Sequence, residues 1–354
     1  MKRELCALVA GGVARPEQRR LPDLVALART ERVHLIVAQR LAGDAPEELR
    51  NEARVEAVRD TLRVRELVRV VSALEAGGCA PVVFKGAALG LTHYQESWLR
   101  PRLDADLLVD LACRVRAAAT LAALGYERPA MTSGRYVMHQ EMHVRPDPVV
   151  GEHVVDLHWK LANPNLLTAL PTHAELRGRA AAVAAPGGLL HVASPADALV
   201  IACVHRAAHH AASDELLWLY DIHLVSSRLT AEEWATTLRV AACARVTAMV
   251  RTGLELAARA FGPCAPPAPV LETLVTAAPE PSAVFLRRDL RRLDRLRADV
   301  AALGAAGGAR LIAEHLFPPA SYMREKYGLR RGAQLPFAYA RRIVGGASAW
   351  FKRN

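Results

Sequence analysis

The sequence lacks three features that define other classes of protein. None of its six cysteines forms a CxxC pair, which excludes a zinc ribbon and a dense disulfide framework and favours a reducing, cytoplasmic location. No apolar run reaches about 18 residues, so we expect no membrane-spanning helix and no membrane partner. The apolar segment after Arg3 is too short and too rich in glycine for a signal peptide, and it predicts the start of a helical region.

Lysine is also scarce, which weakens the case for a nucleic-acid partner. Only five of the 46 basic residues are lysines, and the arginines are scattered through alanine-rich segments without a contiguous basic block. Solvated helix faces therefore explain the net charge of +10 better than a polyanionic partner does, although nucleic acid stays the alternative. The same choice applies to RRDLRRLDRLR from Arg287, which predicts an exposed amphipathic helix.

The chain has the length and composition of a soluble protein with a large core and about two domains. Helical spacing over residues 21–74, ended by Gly77 and Gly78, predicts an N-terminal helical cap over residues 1–78. Short β-branched runs between helical patterns predict a small mixed β-sheet core over residues 79–193. Helix starts at Ser194 and Thr230 predict a C-terminal helical bundle over residues 194–354. The fold class expected is α+β.

Within the core, the order of elements follows from turn and cap signals. The predicted elements after the second strand are a helix over 114–124 stopped by Gly125, antiparallel strands over 136–145 and 149–157, a helix from Pro164 to Arg179, and a short extended piece over 189–192.

The stretch from Pro81 to Val109 carries the most informative pattern. PVVF predicts a strand that ends in a glycine turn at Lys85–Gly86, and a helix follows. Asp104 and Asp106 lie two residues apart on the next predicted strand, so both side chains leave the same face, about 7 Å apart. Two like charges on one face need a cation between them to be stable.

A third acid completes a pattern typical of nucleotidyl transfer. Asp156, in VVDLHW, is predicted on a later strand of the same sheet. In that chemistry two Mg²⁺ ions about 4 Å apart hold the triphosphate and the attacking oxygen, and carboxylates hold the ions. We therefore assign Asp104, Asp106 and Asp156 as catalytic residues and as ligands of Mg²⁺ or Mn²⁺. An Asp-x-Asp pair alone is common on exposed strands, and the flanking motifs give it weight.

These motifs resemble the uncharacterised nucleotidyltransferase family of the polymerase-β-like superfamily. The resemblance lies in KGAAL from Lys85, RLDADLLV from Arg102 and DLHW from Asp156, and it extends to HRAAHH, LLWLYDIHL and LFPPASYMREKYG in the helical half. It implies a nucleoside triphosphate as substrate, and an acceptor that is a small molecule or a protein hydroxyl. The superfamily turn is usually Gly-Ser or Gly-Gly, whereas this chain has Gly86–Ala87.

The remaining site residues follow from charge and spacing. Lys85, the backbone of Gly86 and Ala87, and Arg100 or Arg102 are candidates for binding the triphosphate, with surface or ion-pair roles as the alternative for the three cations. His205 and His209 lie four residues apart on a predicted helix and so share a face. With His158 and Asp221 they are assigned to a possible acceptor pocket. A metal site there is the minority interpretation, and hydrogen-bonded interface histidines are the favoured one.

Three functions remain open on sequence alone. The first is an active nucleotidyltransferase that modifies a small molecule or protein. The second is a degenerate transferase fold that binds nucleotide or a partner without chemistry, which the Gly86–Ala87 departure favours. The third is an RNA-directed transferase, which only the positive charge favours. Three mutually repelling carboxylates would be costly to retain in an inactive site, so the first is preferred.

Overall fold

A six-stranded mixed sheet forms the centre of the computed structural model, which describes residues 1–12, 16–132, 134–210, 212–262, 266–276, 278–329 and 331–350, with backbone alone for 346–350. The strands are β1 Val82–Phe84, β2 Asp104–Leu108, β3 Gln140–Asp147, β4 Gly151–His158, β5 Ala181–Ala185 and β6 Gly188–Val192. Their order across the sheet is β3-β4-β2-β1-β6-β5. The β2/β4 and β1/β6 pairs are parallel and the others antiparallel.

Helices precede, interrupt and follow the sheet. The N-terminal helices are α1 Lys2–Val9, α2 Leu21–Thr30, α3 His34–Leu41 and α4 Glu47–Ala76. Those between strands are α5 Lys85–Thr92, α6 Arg114–Ala123 and α7 His173–Arg179. The C-terminal ones are α8 Pro195–Val204, α9 Leu216–Ser226, α10 Ala231–Cys243, α11 Thr247–Phe261, α12 Ala268–Thr276, α13 Arg292–Leu316, α14 Ala320–Tyr327 and α15 Leu335–Trp350.

The sheet separates two apolar clusters because its side chains alternate between faces. On one face Val83 and Leu107 pack against α4 and α6. On the other face Phe84 and Leu108 belong to the larger cluster, which includes the N-terminal helices and α8–α11. The α+β class with helices at both ends and a mixed sheet is confirmed. All six strands lie inside residues 79–193, and the division into three domains stays a prediction.

Several local predictions are confirmed by the caps. The Ser194 side chain accepts a hydrogen bond from the Asp197 backbone at the start of α8, and Thr230 and Glu233 form the capping box of α10. Gly78 and Gly125, which follow α4 and α6, have φ of +71° and +86°, values that glycine adopts without strain.

Other local predictions are wrong. The helix expected from Pro164 to Arg179 is a short 3₁₀ turn, Asn165–Leu167, followed by α7, because Thr172 caps a new helix start. The basic helix expected from Arg287 begins only at Arg292. Strand β3 begins at Gln140 and not at Tyr136, because the backbone amides of Tyr136 and Val137 donate to the Glu314 carboxylate of α13, at 2.8 and 3.1 Å.

Two other expectations concern membrane-spanning helices and cysteine thiols. Among the described helices, none combines the length and apolarity that a membrane crossing needs. Five of the six cysteines fall in the described residues and are free thiols, and Cys264 lies outside them.

Candidate active site

Strand register brings the predicted acids to one face of the sheet. Asp106 of β2 lies directly opposite Asp156 of β4 in a parallel ladder, and Asp104 lies opposite Val154. Since alternate residues of a strand share a face, Asp104, Asp106 and Asp156 point to the same side as Leu108. Leu108 belongs to the apolar cluster that includes the C-terminal helices. The acids therefore lie between the sheet and the helical half of the protein.

Asp106 is the buried, permanently charged member of the set. Lys85 Nζ donates to its Oδ1 at 2.6 Å, and His158 Nε2 donates to the same oxygen at 2.9 Å, since a carboxylate can only accept. Burial disfavours the charged form, but Lys85 and His158 outweigh it and hold the pKa of Asp106 well below its usual range. Both bonds are made to Oδ1, which leaves Oδ2 for another cation.

Asp156 and Asp104 differ from Asp106 because, among the described residues, no side-chain cation lies within ion-pair distance of either. Asp156 accepts a hydrogen bond from Gln140 Nε2 at 2.9 Å, and Gln140 is held in turn by Asn163 Nδ2 at 3.1 Å. Burial and the charges of Asp106 and Asp104 raise the pKa of Asp156 to about 7. At the exposed start of β2, partial shielding from water and the charge of Asp106 raise the pKa of Asp104. These uncompensated carboxylates favour a bound cation.

The donor set fits a divalent cation. One ligand atom from each of Asp106, Asp156 and His158 lies within 4.8 Å of the others, and no other set of three meets this condition among the described residues. Carboxylate oxygens suit Mg²⁺ and Mn²⁺, and the His158 nitrogen would favour Mn²⁺ once it had released the proton that it donates to Asp106. Two of the three predicted ligands, Asp106 and Asp156, therefore lie close enough to bind the same ion. Asp104 lies two residues before Asp106 on β2, and its part in metal binding stays a prediction.

The predicted phosphate turn is the junction between β1 and α5. The strand runs straight into the helix, and Lys85 occupies the junction with a φ of +53°. A left-handed conformation is strained for lysine, and such strain collects at functional sites. In this left-handed conformation, Lys85 forms its ion pair with Asp106. The first turn of α5 also leaves backbone N–H groups without helical partners, which favours an anion there.

Gly86 and Ala87 have different roles in this turn. A Cβ at Gly86 would lie 3.1 Å from Arg100 Nη1, so the glycine allows the guanidinium to pack against α5. The Ala87 methyl is 1% exposed and belongs to the cluster on the α4 side of the sheet. The side chain of a serine at this position would be buried in the same apolar cluster. The departure from the superfamily pattern therefore falls at a core position.

Arg100 and Arg102 are both held by buried acids. Three hydrogen bonds of 2.8 to 3.1 Å join the Arg100 guanidinium to Asp221 of α9, which also accepts from the Tyr94 hydroxyl at 2.7 Å. Arg102 Nη2 lies 2.7 Å from Asp60 of α4. These pairs connect the segment before β2 to the helical regions on either side, and a role of either arginine in nucleotide binding stays a prediction.

The histidine cluster lies on a π-helical turn, His205–His209, that continues α8. The rings of His205 and His209 stack with centroids 5.3 Å apart, and His210 Nε2 lies 3.0 Å from His205 Nε2. Burial lowers the pKa of His209 to about 3 and that of His210 to about 4, so both are neutral. His209 borders a small cavity together with Lys85. Asp221 is engaged with Arg100 and Tyr94.

Comparison with known proteins agrees with this geometry. The chain matches the model of the family described as uncharacterised nucleotidyltransferase over residues 17–262. It belongs to this nucleotidyltransferase family. No curated protein matches the chain. The family match includes the sheet, α5 and all three acids, which confirms the predicted family. It ends before LFPPASYMREKYG, so the resemblance in that segment stays a prediction.

Sequence reasoning missed some residues of this nucleotidyltransferase site. Gln140 and Asn163, which hold Asp156, carry no motif of their own. The sequence indication for Gln140 was the predicted antiparallel pairing of its strand with the next one. In the structure this pairing places Gln140 opposite His158. His158 itself was assigned to the acceptor pocket, and the structure places it against Asp106. Its position two residues after Asp156, on the same face of β4, was the available indication.

Proposed function

We propose that this protein transfers a nucleoside monophosphate from a nucleoside triphosphate to a hydroxyl group of a small molecule or protein, with Mg²⁺ or Mn²⁺ as cofactor. The observation that carries the proposal is the register pair of Asp106 and Asp156, together with the ion pair between Asp106 and Lys85 at the start of α5. Bound divalent ions would neutralise the triphosphate and lower the pKa of the attacking hydroxyl.

The residues of the site have distinct tasks in this proposal. Lys85 and the amides of Gly86 and Ala87 hold the phosphates, since fixed positive charge stabilises the anion that develops. Asp106 remains charged and anchors the cation. Asp156, whose pKa is raised to about 7, accepts the proton of the acceptor hydroxyl. The acceptor oxygen forms a bond to the α-phosphorus, the bond from that phosphorus to the bridging oxygen breaks, and pyrophosphate leaves with the electron pair.

Two other functions receive less support. A degenerate binding module was suggested by Ala87, but the burial of its methyl means that the missing hydroxyl counts little against phosphate binding. An RNA-directed transferase was suggested by the net charge. Many arginines outside the active site are paired with carboxylates, including Arg29 with Glu48 and Glu52, and such pairs reduce the charge available to RNA.

The test is incubation with each labelled nucleoside triphosphate, Mg²⁺ or Mn²⁺, and a panel of hydroxyl-bearing acceptors that includes a protein extract and RNA. Metal-dependent pyrophosphate release together with label transfer to a small molecule or protein supports the proposal. Nucleotide binding without pyrophosphate release for any acceptor would support the binding module. Label transfer to RNA alone, with salt-sensitive binding, would support the RNA-directed transferase.

A further inference from the structure

A large cavity lies between the segment that precedes β3 and the last three helices. Its volume is about 790 Å³, within the range of small-molecule sites. Its apolar wall comes from leucines of α13 and from Ile343, and its rim carries Tyr136 and Tyr327. Helices α13, α14 and α15 follow residue 262, so this wall is built from a part of the chain beyond the family match.

The cavity is strongly cationic. Five cations line it, against the single carboxylate of Asp299; they are Arg292, Arg295, Lys326, Arg341 and Arg342. The Asp299 Oδ1 accepts from the backbone amide of Leu166 at 2.9 Å, and the Asp299 carboxylate also interacts with Arg295. In the part of the chain that the structure describes, no carboxylate lies within ion-pair distance of Arg292, Lys326, Arg341 or Arg342.

Aromatic rings and a carbonyl fix two of these cations in place. The Arg341 guanidinium lies 5.8 Å from the Tyr327 ring centroid, and that of Arg342 lies 5.6 Å from the Tyr322 ring. Arg342 also donates to the His315 carbonyl at 3.3 Å. Like charges held around one space repel each other, and an anion between them would remove that cost. Ordered guanidinium groups also suit phosphate oxygens better than mobile ones.

The cavity is connected to Asp156 by hydrogen bonds on the β3 side of the sheet. Asn163 lines it, and the chain of hydrogen bonds from Asn163 through Gln140 ends on Asp156. In the sheet, β4 and β3 lie on one side of β2, whereas β1 and α5 with Lys85 lie on the other. In-line transfer requires the attacking oxygen and the leaving group on opposite sides of the phosphorus. The position therefore fits the acceptor and not the triphosphate.

We propose that this cavity binds the acceptor, and that the acceptor is a small molecule carrying a phosphate ester in addition to the hydroxyl that is modified. The phosphate lies among the arginines, and the hydroxyl points past Asn163 toward Asp156, which takes its proton as pyrophosphate leaves. Of the four residues assigned to the acceptor pocket from sequence, only His209 lines this cavity. The inference rests on the proposed nucleotidyl transfer in so far as it calls the bound molecule an acceptor. Binding of a phosphate ester in the cavity does not depend on that transfer.

The experiment is calorimetric titration of the metal-free protein, in EDTA and without nucleotide, with ribose 5-phosphate and with ribose. We expect ribose 5-phosphate to bind at least about tenfold more tightly than ribose. The affinity for ribose 5-phosphate should fall at least about tenfold in each of the variants Arg341→Glu and Arg292→Glu. The matched control is Arg297→Glu, which makes the same charge change at an exposed position of α13 outside the cavity and leaves the affinity unchanged. Thermal unfolding checks that every variant is folded.

Several outcomes would overturn the inference. Equal binding of both sugars, or an equal loss in Arg297→Glu, would mean that no phosphate site is present. Displacement of ribose 5-phosphate by ATP would assign the cavity to the nucleotide. Tighter binding of a short RNA, lost in Arg341→Glu, would assign it to nucleic acid. A protein that binds ribose 5-phosphate as expected but never releases pyrophosphate would instead refute the proposed function and leave the phosphate site standing.

Discussion

Asp106 and Asp156 lie opposite each other on adjacent parallel strands, yet their environments drive their pKa values in opposite directions. Burial opposes ionisation of both carboxyls. Lys85 and His158 hold the pKa of Asp106 well below its usual range, whereas burial and neighbouring negative charge raise the pKa of Asp156 to about 7. Such a divergence assigns different tasks to chemically identical groups. In the proposed reaction, Asp106 serves as a constant anion and Asp156 as the group that gains and loses a proton.

The first prediction is that divalent ions bind with release of a proton. Below pH 7 Asp156 is largely protonated in the metal-free protein and cannot act as a ligand, so Mn²⁺ affinity should rise up to about tenfold per pH unit between pH 6 and 7, and level off above. Calorimetry in two buffers of different ionisation enthalpy measures the protons released. In Asp156→Asn the binding should be weak and nearly independent of pH. An affinity that is flat across this range in the wild type would contradict the assignment.

The second prediction concerns Lys85, whose ammonium competes with a metal ion for Asp106. In Lys85→Met, Mn²⁺ should bind more tightly in the absence of nucleotide, because the 2.6 Å ion pair is gone. The KM for the nucleoside triphosphate should rise about tenfold, because a phosphate contact is lost. Calorimetry and steady-state kinetics measure the two effects. Lys160→Met, a change just beyond β4, is the control. Weaker Mn²⁺ binding with an unchanged KM would show that Lys85 has neither role.

The third prediction is that Arg100 and Asp221 stabilise the protein as a pair. Both side chains are at most 5% exposed, so removal of one partner leaves a buried charge. Arg100→Met and Asp221→Asn should each lower the free energy of unfolding by about 3–5 kcal/mol. The double variant should lose clearly less than the sum, because no unpaired charge remains. Urea unfolding measures all three. Strict additivity would mean that the two side chains do not interact.

The fourth prediction is loss of stability in mild acid. Burial lowers the pKa of His93 and His139 to about 4 and that of His209 to about 3, so unfolding takes up their protons between pH 6.5 and 4. Asp299, with its pKa raised to about 6 mainly by burial, offsets one of them by releasing a proton. Other buried histidines add to this uptake and Asp156 offsets one more proton, so the unfolded state binds at least two more protons and the free energy of unfolding should fall by at least about 3 kcal/mol per pH unit near pH 5.

Urea unfolding of the metal-free protein at pH 7, 6 and 5 measures this slope. His139→Gln, which keeps a hydrogen-bonding side chain beside Asn165 and cannot titrate, should reduce the slope by about one proton. Constant stability between pH 7 and 5 would mean that the buried histidines accept protons in the folded protein.

The sequence was most informative where residue type and local spacing decide the structure. The alternation in RLDADLLV places Asp104 and Asp106 on one face of β2 without further information, and caps at Ser194 and Thr230 depend on neighbouring residues alone. The KGAAL, RLDADLLV and DLHW motifs together were enough to identify the family.

Long-range pairing was the part that sequence could not supply. The pairing of β4 with β2 joins segments about 50 residues apart in the sequence, and it decides which acids meet. Strand β5 was missed because AAVAA has little intrinsic preference for a strand and is held there by β6. The buried partners of Arg100 and Arg102 come from distant helices, so no local pattern indicated that these arginines are paired.

The central claim is that Asp106 and Asp156 support metal-dependent nucleotidyl transfer. Its most direct test is pyrophosphate release from the preferred nucleoside triphosphate, with Mg²⁺ or Mn²⁺ and acceptor, by the wild type, Asp106→Asn, Asp156→Asn and Glu152→Gln. Glu152 is an exposed acid on the same strand as Asp156 and serves as the control. We predict a loss of at least about 100-fold in both aspartate variants and no loss in Glu152→Gln. Release that is unchanged in folded Asp106→Asn or Asp156→Asn protein would contradict the account.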